Sequence, residues 1–306
     1  MTDQTTPAES PSGADTGEGW LRTLLPDKGP AALGAGGLRV FNVLLALPGN
    51  GSYATATEVA DQAGTSVSSV TRLAQRLGYK GWPDLQRDLR AHHLAHLSLT
   101  DVANAHGDND TPFQASLRQD ADSLAAGLRN LDEVQVVRIA RRLAAAANIY
   151  VAAQGSFAAV GLSLIHNIRL AGYPARALLD NPAGIANHVA QFGSDDLLII
   201  CSYWRLYDVD VIAAAEAHRR GATVIVIADN ISPALEESAD EVLLVPAEGS
   251  SFFPSLTAAM SVQQGLVATL ARVDLERTRR SIDASETSWQ QFKLLHRSVP
   301  RIVREP

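Results

Sequence analysis

The chain carries two different hydrophobic patterns. In the first third, apolar residues recur three and four positions apart, which predicts amphipathic helices over residues 39–47, 56–63 and 67–77. In the last two thirds, short unbroken apolar runs rich in β-branched residues alternate with helical patterns. Such runs are typical of strands that a parallel sheet buries on both faces. The two patterns therefore predict two regions of different fold class.

Residues that begin and end helices divide the first region. Thr55-Ala-Thr-Glu58 is a capping box, in which the threonine hydroxyl and the glutamate carboxylate each accept a backbone N–H. Gly64 ends that helix, and we expect Ser66 to cap the next one. Two short helices joined by a tight turn predict a helix-turn-helix, whose first helix braces the second for entry into the major groove of DNA.

The second region alternates strand and helix signals. This alternation predicts right-handed βαβ units and a doubly wound parallel sheet. Strands are expected at residues 149–152, 175–178, 197–201, 223–227 and 242–245, and helices at 157–171, 185–192, 209–220, 235–239 and 254–272.

Composition sets the expected domain boundaries. Residues 1–19 contain four acids and no base and are rich in Thr, Ser, Pro and Gly, which predicts a disordered tail. A polar linker and a connecting helix are expected at residues 98–130. We therefore expect an all-α helix-turn-helix domain at 20–97, an α/β domain at 131–275 and a C-terminal extension at 276–306.

Charge is unevenly distributed along the chain. The formal net charge is −7, which by itself disfavours a protein coated in nucleic acid. Residues 38–97 nevertheless hold six basic and four acidic side chains, so this segment is positive while the remainder is acidic. A locally basic helical module favours DNA binding more than the net charge does.

The second helix of the pair carries the candidate DNA contacts. Small hydroxyl side chains allow close approach to base edges, an arginine can bond guanine bidentately, and a lysine just past the helix suits a phosphate. A small helical bundle with an ordinary polar face is the alternative that spacing alone leaves open. The candidates are Ser66, Val67, Ser68, Ser69, Thr71, Arg72, Arg76 and Lys80.

Several protein classes are disfavoured. The single Cys201 excludes an internal disulfide and a cysteine-based zinc site, and it suits a reducing compartment. The N-terminus lacks the basic and apolar parts of a signal peptide, and no run approaches the roughly 18 apolar residues of a membrane span. We expect a cytoplasmic protein with no membrane association, metal or cofactor.

Two motifs in residues 56–82 are recognisable. Leu77-Gly-Tyr-Lys-Gly-Trp82 follows the pattern L-G-Y-K-G-F with Trp for Phe, and residues 65–73 follow V-S-x-A-T-V-x-R-F with Ser68-Ser69 for Ala-Thr. These motifs resemble the DNA-binding domain of the RpiR family of bacterial transcriptional regulators. The resemblance implies a C-terminal SIS (sugar isomerase) domain, and the sheet pattern from residue 131 to 271 looks like one.

The resemblance also points to ligand-binding loops at the carboxyl ends of strands, where helix N-termini favour anions. Gln154-Gly-Ser156 is similar to the family's G-x-G-S turn, and Asn230 and Ser232 lie in a segment similar to T-D-x-x-x-S-P-L. Only Ser202 remains of the phosphate motif S-x-S-G-x-T, and Tyr203-Trp-Arg205 follows it, as in a subgroup with an aromatic–arginine loop. The candidate ligand-binding residues are Gly155, Ser156, Ser202, Tyr203, Arg205, Asn230 and Ser232.

Arg205 has two possible roles. It either replaces the lost hydroxyls with a bidentate contact to an anion or pairs with Asp208 or Asp210 and closes the pocket. Three functions remain open. The first is a regulator that, as a homodimer or higher homo-oligomer, binds a pseudo-palindromic operator and senses a small anionic, phosphosugar-like metabolite. The second is a regulator whose SIS domain only dimerises, and the third is a sugar-phosphate isomerase or lyase using Glu248 as acid–base.

Overall fold

A computed structural model describes residues 17–26, 28–46, 54–96, 111–179, 181–251 and 253–294. The chain divides into two compact units, one formed by residues 1–115 with 250–253 and the other by residues 116–249 with 254–306. The first unit is helical, and the second is built on a parallel sheet.

The N-terminal unit packs short helices around one apolar core. Its fully buried side chains include Leu21, Phe41 and Leu73. The elements are α1 (Gly17–Thr23), a 3-10 helix (Gly29–Leu33), α2 (Gly34–Ala46), α3 (Ala56–Gln62), α4 (Val67–Arg76) and α5 (Trp82–His96).

The first helix begins inside the segment that composition assigns to a tail. Gly17–Thr23 form α1, and residues 1–16 lie outside the described residues. The physical reason is Leu21, which is 1% exposed and packs in the core of the helical unit. One buried leucine gives this polar segment a stable helical attachment.

The segment Gly29–Ala46 is long and apolar enough, by length and composition alone, to cross a membrane. The expectation that no run approaches this length was therefore too strong. In the structure the segment is a 3-10 helix followed by α2, and Gly34 between them has a positive φ of 68°. Val40, Phe41 and Leu44 face the core of the helical unit.

The C-terminal unit begins within α6 and then alternates strands and helices. Its elements are α6 (Pro112–Asn130), α7 (Glu133–Ala145), β1 (Asn148–Ala153), a 3-10 helix (Gly155–Phe157), α8 (Ala158–Leu170), β2 (Ala175–Leu178), α9 (Pro182–Val189), β3 (Asp196–Ser202), α10 (Asp208–Arg219), β4 (Thr223–Ala228), α11 (Pro233–Glu236), β5 (Glu241–Leu244), α12 (Thr257–Val273) and α13 (Leu275–Gln291).

The sheet has five parallel strands in the order β2-β1-β3-β4-β5, which confirms the predicted doubly wound α/β fold. Val151 in β1 lies opposite Ile199 in β3, which in turn lies opposite Ile225 in β4. These residues face a core shared with α7, α8 and α12, while Tyr150 and its alternate neighbours face α9 and α10. Because α8 and α10 pack on opposite faces of the sheet, a ligand-binding crevice is expected between the carboxyl ends of β1 and β3.

Helix α13 extends the C-terminal unit beyond what the apolar pattern indicated. The polar segment from Ser281 continues a helix whose first turns are attached to the end of α8. Thr278 is buried and donates its hydroxyl to the Ala171 carbonyl, and the Arg277 guanidinium lies 4.1 Å from the centroid of the Tyr173 ring. These polar and cation–π contacts replace an apolar stripe as the attachment.

Candidate functional sites

The turn before α4 is built by local hydrogen bonds. Thr55 Oγ1 accepts the Glu58 N–H at 3.2 Å, and Glu58 Oε2 accepts the Thr55 N–H at 2.7 Å, which confirms the capping box. Gly64 ends the helical hydrogen bonding with a φ of 55°, a conformation that a side chain disfavours. Arg39 Nε then donates to the Ala63 carbonyl, so α2 holds the end of α3.

The N-terminus of α4 differs from the prediction. Ser66 makes no side-chain capping bond; its Oγ instead lies 2.9 Å from Ser68 Oγ and 3.2 Å from Ser69 Oγ. Ser69 does not face outward as expected, because it is 7% exposed and packs against α2. A Cβ at Gly36 would lie 2.9 Å from Ser69 Oγ, so this close helix crossing requires glycine. Ser69 is therefore a packing residue.

The outer face of α4 combines hydroxyl, apolar and cationic groups. Ser66, Ser68 and Arg72 are exposed, and Val67 is 43% exposed. Arg72 Nη2 lies 3.4 Å from Ser68 Oγ, which holds the guanidinium along the helix surface. Half-buried Thr71 donates its hydroxyl to the Val67 carbonyl. The helix itself carries no acidic residue, so this face suits an anionic partner.

The two remaining candidates of this helix region have different surroundings. Arg76 Nη1 donates to the Leu33 carbonyl at the end of the 3-10 helix, so its guanidinium fixes α4 against the preceding chain. Lys80 has an exposed side chain beyond α4, and its backbone N–H donates to Asp84 Oδ2 at 3.1 Å. Both residues are exposed, but the Arg76 guanidinium is bonded to the backbone of the fold, whereas Lys80 is bonded, among the described residues, through its backbone N–H and not its side chain.

The loop after β1 lies at the crevice between β1 and β3. Gly155 has a φ of 56°, and a Cβ there would lie 3.1 Å from Tyr207 Oη. The hydroxyl of Tyr207, which is 42% exposed, therefore lies close to the glycine, and both Gly155 and Ser156 are exposed. Only glycine satisfies both the backbone angle and the close approach of the tyrosine.

The loop after β3 is more buried than the motif comparison implied. Ser202 is 5% exposed and Tyr203 is fully buried, with its ring edge-on to Phe157 at 5.5 Å between centroids. Burial raises the pKa of the Tyr203 hydroxyl well above its usual value. Tyr203 is predicted to bind the ligand, but in this structure its ring fills the core under the loop.

Asp229 joins the loops after β3 and β4. Its Oδ1 accepts the Trp204 N–H at 2.9 Å and the Asn230 side-chain amide at 3.1 Å. Trp204 has a φ of 67°, which is strained for a residue other than glycine, and the Asp229 contact holds it there. Half-buried Arg205 follows, with its guanidinium carbon 5.7 Å from the Trp204 ring centroid. Asp229 was not among the site residues predicted from the sequence, although it directly precedes Asn230.

Asp210, in the first turn of α10, is the most buried carboxylate of this region and was named only as a partner for Arg205. It is 1% exposed, and Gln154 Nε2 donates to its Oδ1 at 3.2 Å. Within the described residues, Oδ2 accepts no hydrogen bond. Burial raises the pKa of Asp210 to about 6. The pKa of neighbouring Cys201 is raised to about 12, mainly by burial and further by the Asp210 charge.

Ser232 and Glu248 lie in the loops that follow β4 and β5, at the carboxyl ends of these strands. Ser232 Oγ accepts the Leu235 N–H and caps α11, which explains why that helix begins earlier than predicted. Glu248 is half-buried after β5. Among the described residues, no group of three or more His, Cys, Asp or Glu side chains is arranged to hold a metal ion.

Comparison with known proteins assigns both units. Residues 36–96 match the helix-turn-helix domain of the rpiR family, and residues 142–269 match the SIS domain, so that together the matches cover more than half of the chain. Over 258 residues the chain is 27% identical to YfhH of Escherichia coli K12, an uncharacterized HTH-type transcriptional regulator. That alignment covers 81% of this chain and 91% of YfhH.

Two solved structures share the fold. The Vibrio vulnificus NanR protein, complexed with ManNAc-6P, matches with a TM-score of 0.55 at 21% identity over 83% of this chain and 92% of NanR. The sugar isomerase domain of an RpiR transcription factor from Sphaerobacter thermophilus matches with a TM-score of 0.55 at 24% identity over 58% of this chain and 99% of that domain. With a helix-turn-helix domain followed by a SIS domain, this chain belongs to the RpiR family of transcriptional regulators.

Proposed function

We propose that this regulator binds an operator through the outer face of α4 and that a small anionic, phosphosugar-like metabolite in the SIS domain changes its DNA affinity. The observation that carries the proposal is the exposed set of Ser66, Val67, Ser68 and Arg72 on a helix without acidic residues. Hydroxyls and an arginine at the N-terminal turns of a recognition helix suit base edges and phosphates in the major groove.

The proposed DNA-bound form is a homodimer acting in the cytoplasm. A two-fold symmetric dimer presents two copies of α4, which favours a pseudo-palindromic operator with half-sites about one helical turn apart or a multiple of it. Lys80 is the expected phosphate contact beside the recognition helix. Arg76 and Ser69 are expected to act indirectly, by holding α4 in place through Leu33 and Gly36.

The proposed metabolite site is the crevice between β1 and β3. Ser156 and the Arg205 guanidinium supply donors for an anionic group, while Asp210 Oδ2 is a buried acceptor suited to a sugar hydroxyl. The complex of the structurally similar NanR with ManNAc-6P supports a phosphosugar as the ligand class. A phosphate at Arg205 and hydroxyls toward Asp210 would also separate the ligand's negative charge from the buried carboxylate.

One observation favours the alternative of a SIS domain that only dimerises. Ser202 and Tyr203 are buried, so these two motif positions are closed to a ligand, whereas Gly155 and Ser156 are exposed. Ligand binding at Ser202 therefore requires the loop after β3 to open. An effector that binds only the open arrangement would shift the population toward it and couple the metabolite to the DNA-binding unit.

The proposal is tested by selecting binding sites from random duplex DNA with the full-length protein. The expected result is an enriched inverted-repeat sequence, whose affinity changes when phosphosugars such as ManNAc-6P are added. If no sequence is enriched over the starting pool, operator binding is wrong. If a sequence is enriched but no phosphosugar changes its affinity or the thermal stability of the protein, the dimerising-only alternative is favoured.

A further inference from the structure

The loop after β3 holds a tryptophan in a backbone conformation that side chains disfavour. Of the described residues other than glycine, only Trp204 and Lys293 have a positive φ, which is 67° at Trp204. A residue with a Cβ populates this left-handed region roughly fivefold to thirtyfold less than its favoured conformations. We call residues 203–207 the β3 loop. Its closed form therefore contains a strained residue beside the proposed metabolite site.

Two polar atoms in residues 203–210 are buried without a hydrogen bond to any described residue. They are Tyr203 Oη, in the core under the β3 loop, and Asp210 Oδ2, in the first turn of α10. Such burial is unfavourable, because folding takes these groups out of water and gives them no partner in return. The closed β3 loop and the turn beside it thus carry three separate energetic costs, two from these atoms and one from the φ of Trp204.

The Asp229 carboxylate holds the strained residue in place. Its Oδ1 accepts the Trp204 N–H at 2.9 Å and the Asn230 side-chain amide at 3.1 Å. The bond to Trp204 spans two strand ends, since β3 and β4 are neighbours with Ser202 opposite Ala228. The half-buried Trp204 ring also packs against the core shared with α7, α8 and α12. A charge-assisted bond to the N–H of Trp204 itself is the contact best placed to offset its backbone strain.

We propose that the β3 loop has a closed and an open conformation and that Asp229 is the latch of the closed one. In the open conformation the Trp204 N–H leaves Asp229 and the φ of Trp204 returns to negative values. Ser202, which is 5% exposed under the closed loop, then becomes accessible, and a metabolite that binds there selects the open conformation. The inference rests on the metabolite site of the proposed function and identifies what controls access to it.

The energetic costs of the closed loop bring the two conformations close in free energy. Opening removes the strain at Trp204 and lets water or a ligand bond Tyr203 Oη and Asp210 Oδ2, while it breaks the Asp229 bond and exposes part of the Trp204 ring. Because these effects oppose each other, a ligand needs only a modest preference for the open form to shift the population. The latch therefore sets the ligand concentration at which the loop opens.

Hydrogen exchange of the full-length protein, followed by mass spectrometry of peptides covering residues 201–208, measures opening without any ligand. Asp229→Ala removes the acceptor and is expected to speed exchange in the β3 loop about tenfold or more. Asp229→Asn keeps a carbonyl oxygen that can accept the same bonds and should stay within about threefold of the wild type. Asp240→Ala is the matched control: Asp240 Oδ2 accepts the Val224 N–H at 2.8 Å at the amino end of β4, and its loss should leave this exchange unchanged.

Two replacements of Trp204 isolate the backbone strain. Trp204→Ala and Trp204→Gly both remove the packing of the indole ring, but only glycine adopts a positive φ without strain. After correction for intrinsic rates, Trp204→Gly should exchange about fivefold more slowly than Trp204→Ala in the β3 loop. In an unstrained loop the order is reversed, because glycine makes an open chain more flexible. Equal or reversed rates overturn the proposal, as does an Asp229→Ala protein that exchanges like the wild type.

Calorimetric binding of ManNAc-6P to the same variants connects opening to the ligand. Asp229→Ala and Asp229→Asn remove the same negative charge, but only the first releases the latch. Asp229→Ala should therefore bind at least about fivefold more tightly than Asp229→Asn, because more of the protein is already in the open conformation. Equal affinity of these two variants overturns the proposal. If the exchange rates follow the prediction while neither variant nor the wild type binds ManNAc-6P, the latch is supported and the metabolite of the proposed function is wrong.

Discussion

A hydrogen bond between Gln154 and Asp210 connects the loops that follow β1 and β3, the two strands between which the strand order of the sheet reverses. The Gln154 amide follows β1 and donates to Asp210 Oδ1 at 3.2 Å, and Asp210 lies in the first turn of α10, which follows β3 by one loop. The side chain of Asp210 is almost completely buried while its second oxygen accepts no hydrogen bond among the described residues. Burying a carboxylate oxygen without a hydrogen bond is energetically unfavourable. Here it occurs near the carboxyl ends of β1 and β3, where folds of this kind bind their ligands.

Replacement of Asp210 should stabilise the protein at neutral pH. Because its pKa is about 6 in the folded protein and 3.8 without burial, the folded state binds a proton more tightly than the unfolded state. The destabilisation from the ionised group is therefore full above pH 6 and disappears as the pH falls toward 4, and its magnitude is at most about 3 kcal/mol. Asp210→Asn should raise the unfolding temperature of the sheet unit at pH 7.5 and leave it nearly unchanged at pH 4.

Asp208→Asn is the matched control, because Asp208 is exposed on the same turn of α10. It should not alter the pH dependence of unfolding. A gap between Asp210→Asn and the wild type that stays constant from pH 7.5 to pH 4 would show that the ionisation of Asp210 is not the cause.

Gly155→Ala should destabilise the loop after β1. An alanine at a φ of 56° costs about 1–2 kcal/mol, and its Cβ would also lie 3.1 Å from Tyr207 Oη. Gly155→Ala combined with Tyr207→Phe should recover the steric part of this loss and leave the backbone part. Thermal unfolding of the two variants and of Tyr207→Phe alone measures both contributions. If Gly155→Ala costs the same stability in the wild type and in Tyr207→Phe, contact with the tyrosine hydroxyl is excluded as a cause.

Arg205→Ala tests the proposed anion contact. In a thermal-shift assay, ManNAc-6P is expected to stabilise the wild type more than the unphosphorylated sugar does, because the guanidinium binds the phosphate. The variant should lose most of this difference. Arg220→Ala, which removes a half-buried arginine bound to Glu216 at the other end of α10, is the control and should keep it. Equal shifts in wild type and Arg205→Ala would assign the phosphate to other groups.

Arg72→Ala and Arg76→Ala should separate DNA contact from support of the fold. Arg76 bonds the Leu33 carbonyl, so its loss should lower the free energy of unfolding of the helical unit by about 1–2 kcal/mol. Among the described residues, Arg72 bonds only hydroxyls of its own helix, at 3.4–3.5 Å, so its loss should leave stability within about 0.5 kcal/mol. Denaturant titrations of both variants check this difference, and an equal loss for the two would contradict it.

Helix caps and buried strands could be predicted from the sequence, because each depends on a few consecutive residues. Contacts between segments that are distant in the chain could not. The capping box of Thr55 and Glu58 depends on four consecutive residues, and the strands are unbroken apolar runs. Ser69, by contrast, is buried because Gly36 in another helix approaches it. Asp210 is buried by its contact with Gln154, 56 positions earlier in the chain.

The end of the chain shows the same limit in a different form. Helix α13 has no strong apolar stripe, and its attachment depends on Arg277 lying over Tyr173 and on Thr278 bonding Ala171. The motif comparison located the loops of the candidate ligand site but not their exposure. Tyr203 follows the motif serine, Ser202, yet only the structure shows that its ring belongs to the core against Phe157.

The most direct test of the central claim is the affinity of wild-type and Arg72→Ala protein for the selected inverted-repeat duplex and for a scrambled duplex at one fixed salt concentration. Fluorescence anisotropy should show that the wild type prefers the selected duplex, and that Arg72→Ala weakens this binding by about 1–3 kcal/mol while binding to the scrambled duplex changes little. Equal affinity of the wild type for both duplexes, or an unchanged preference in Arg72→Ala, would contradict readout of an operator by α4.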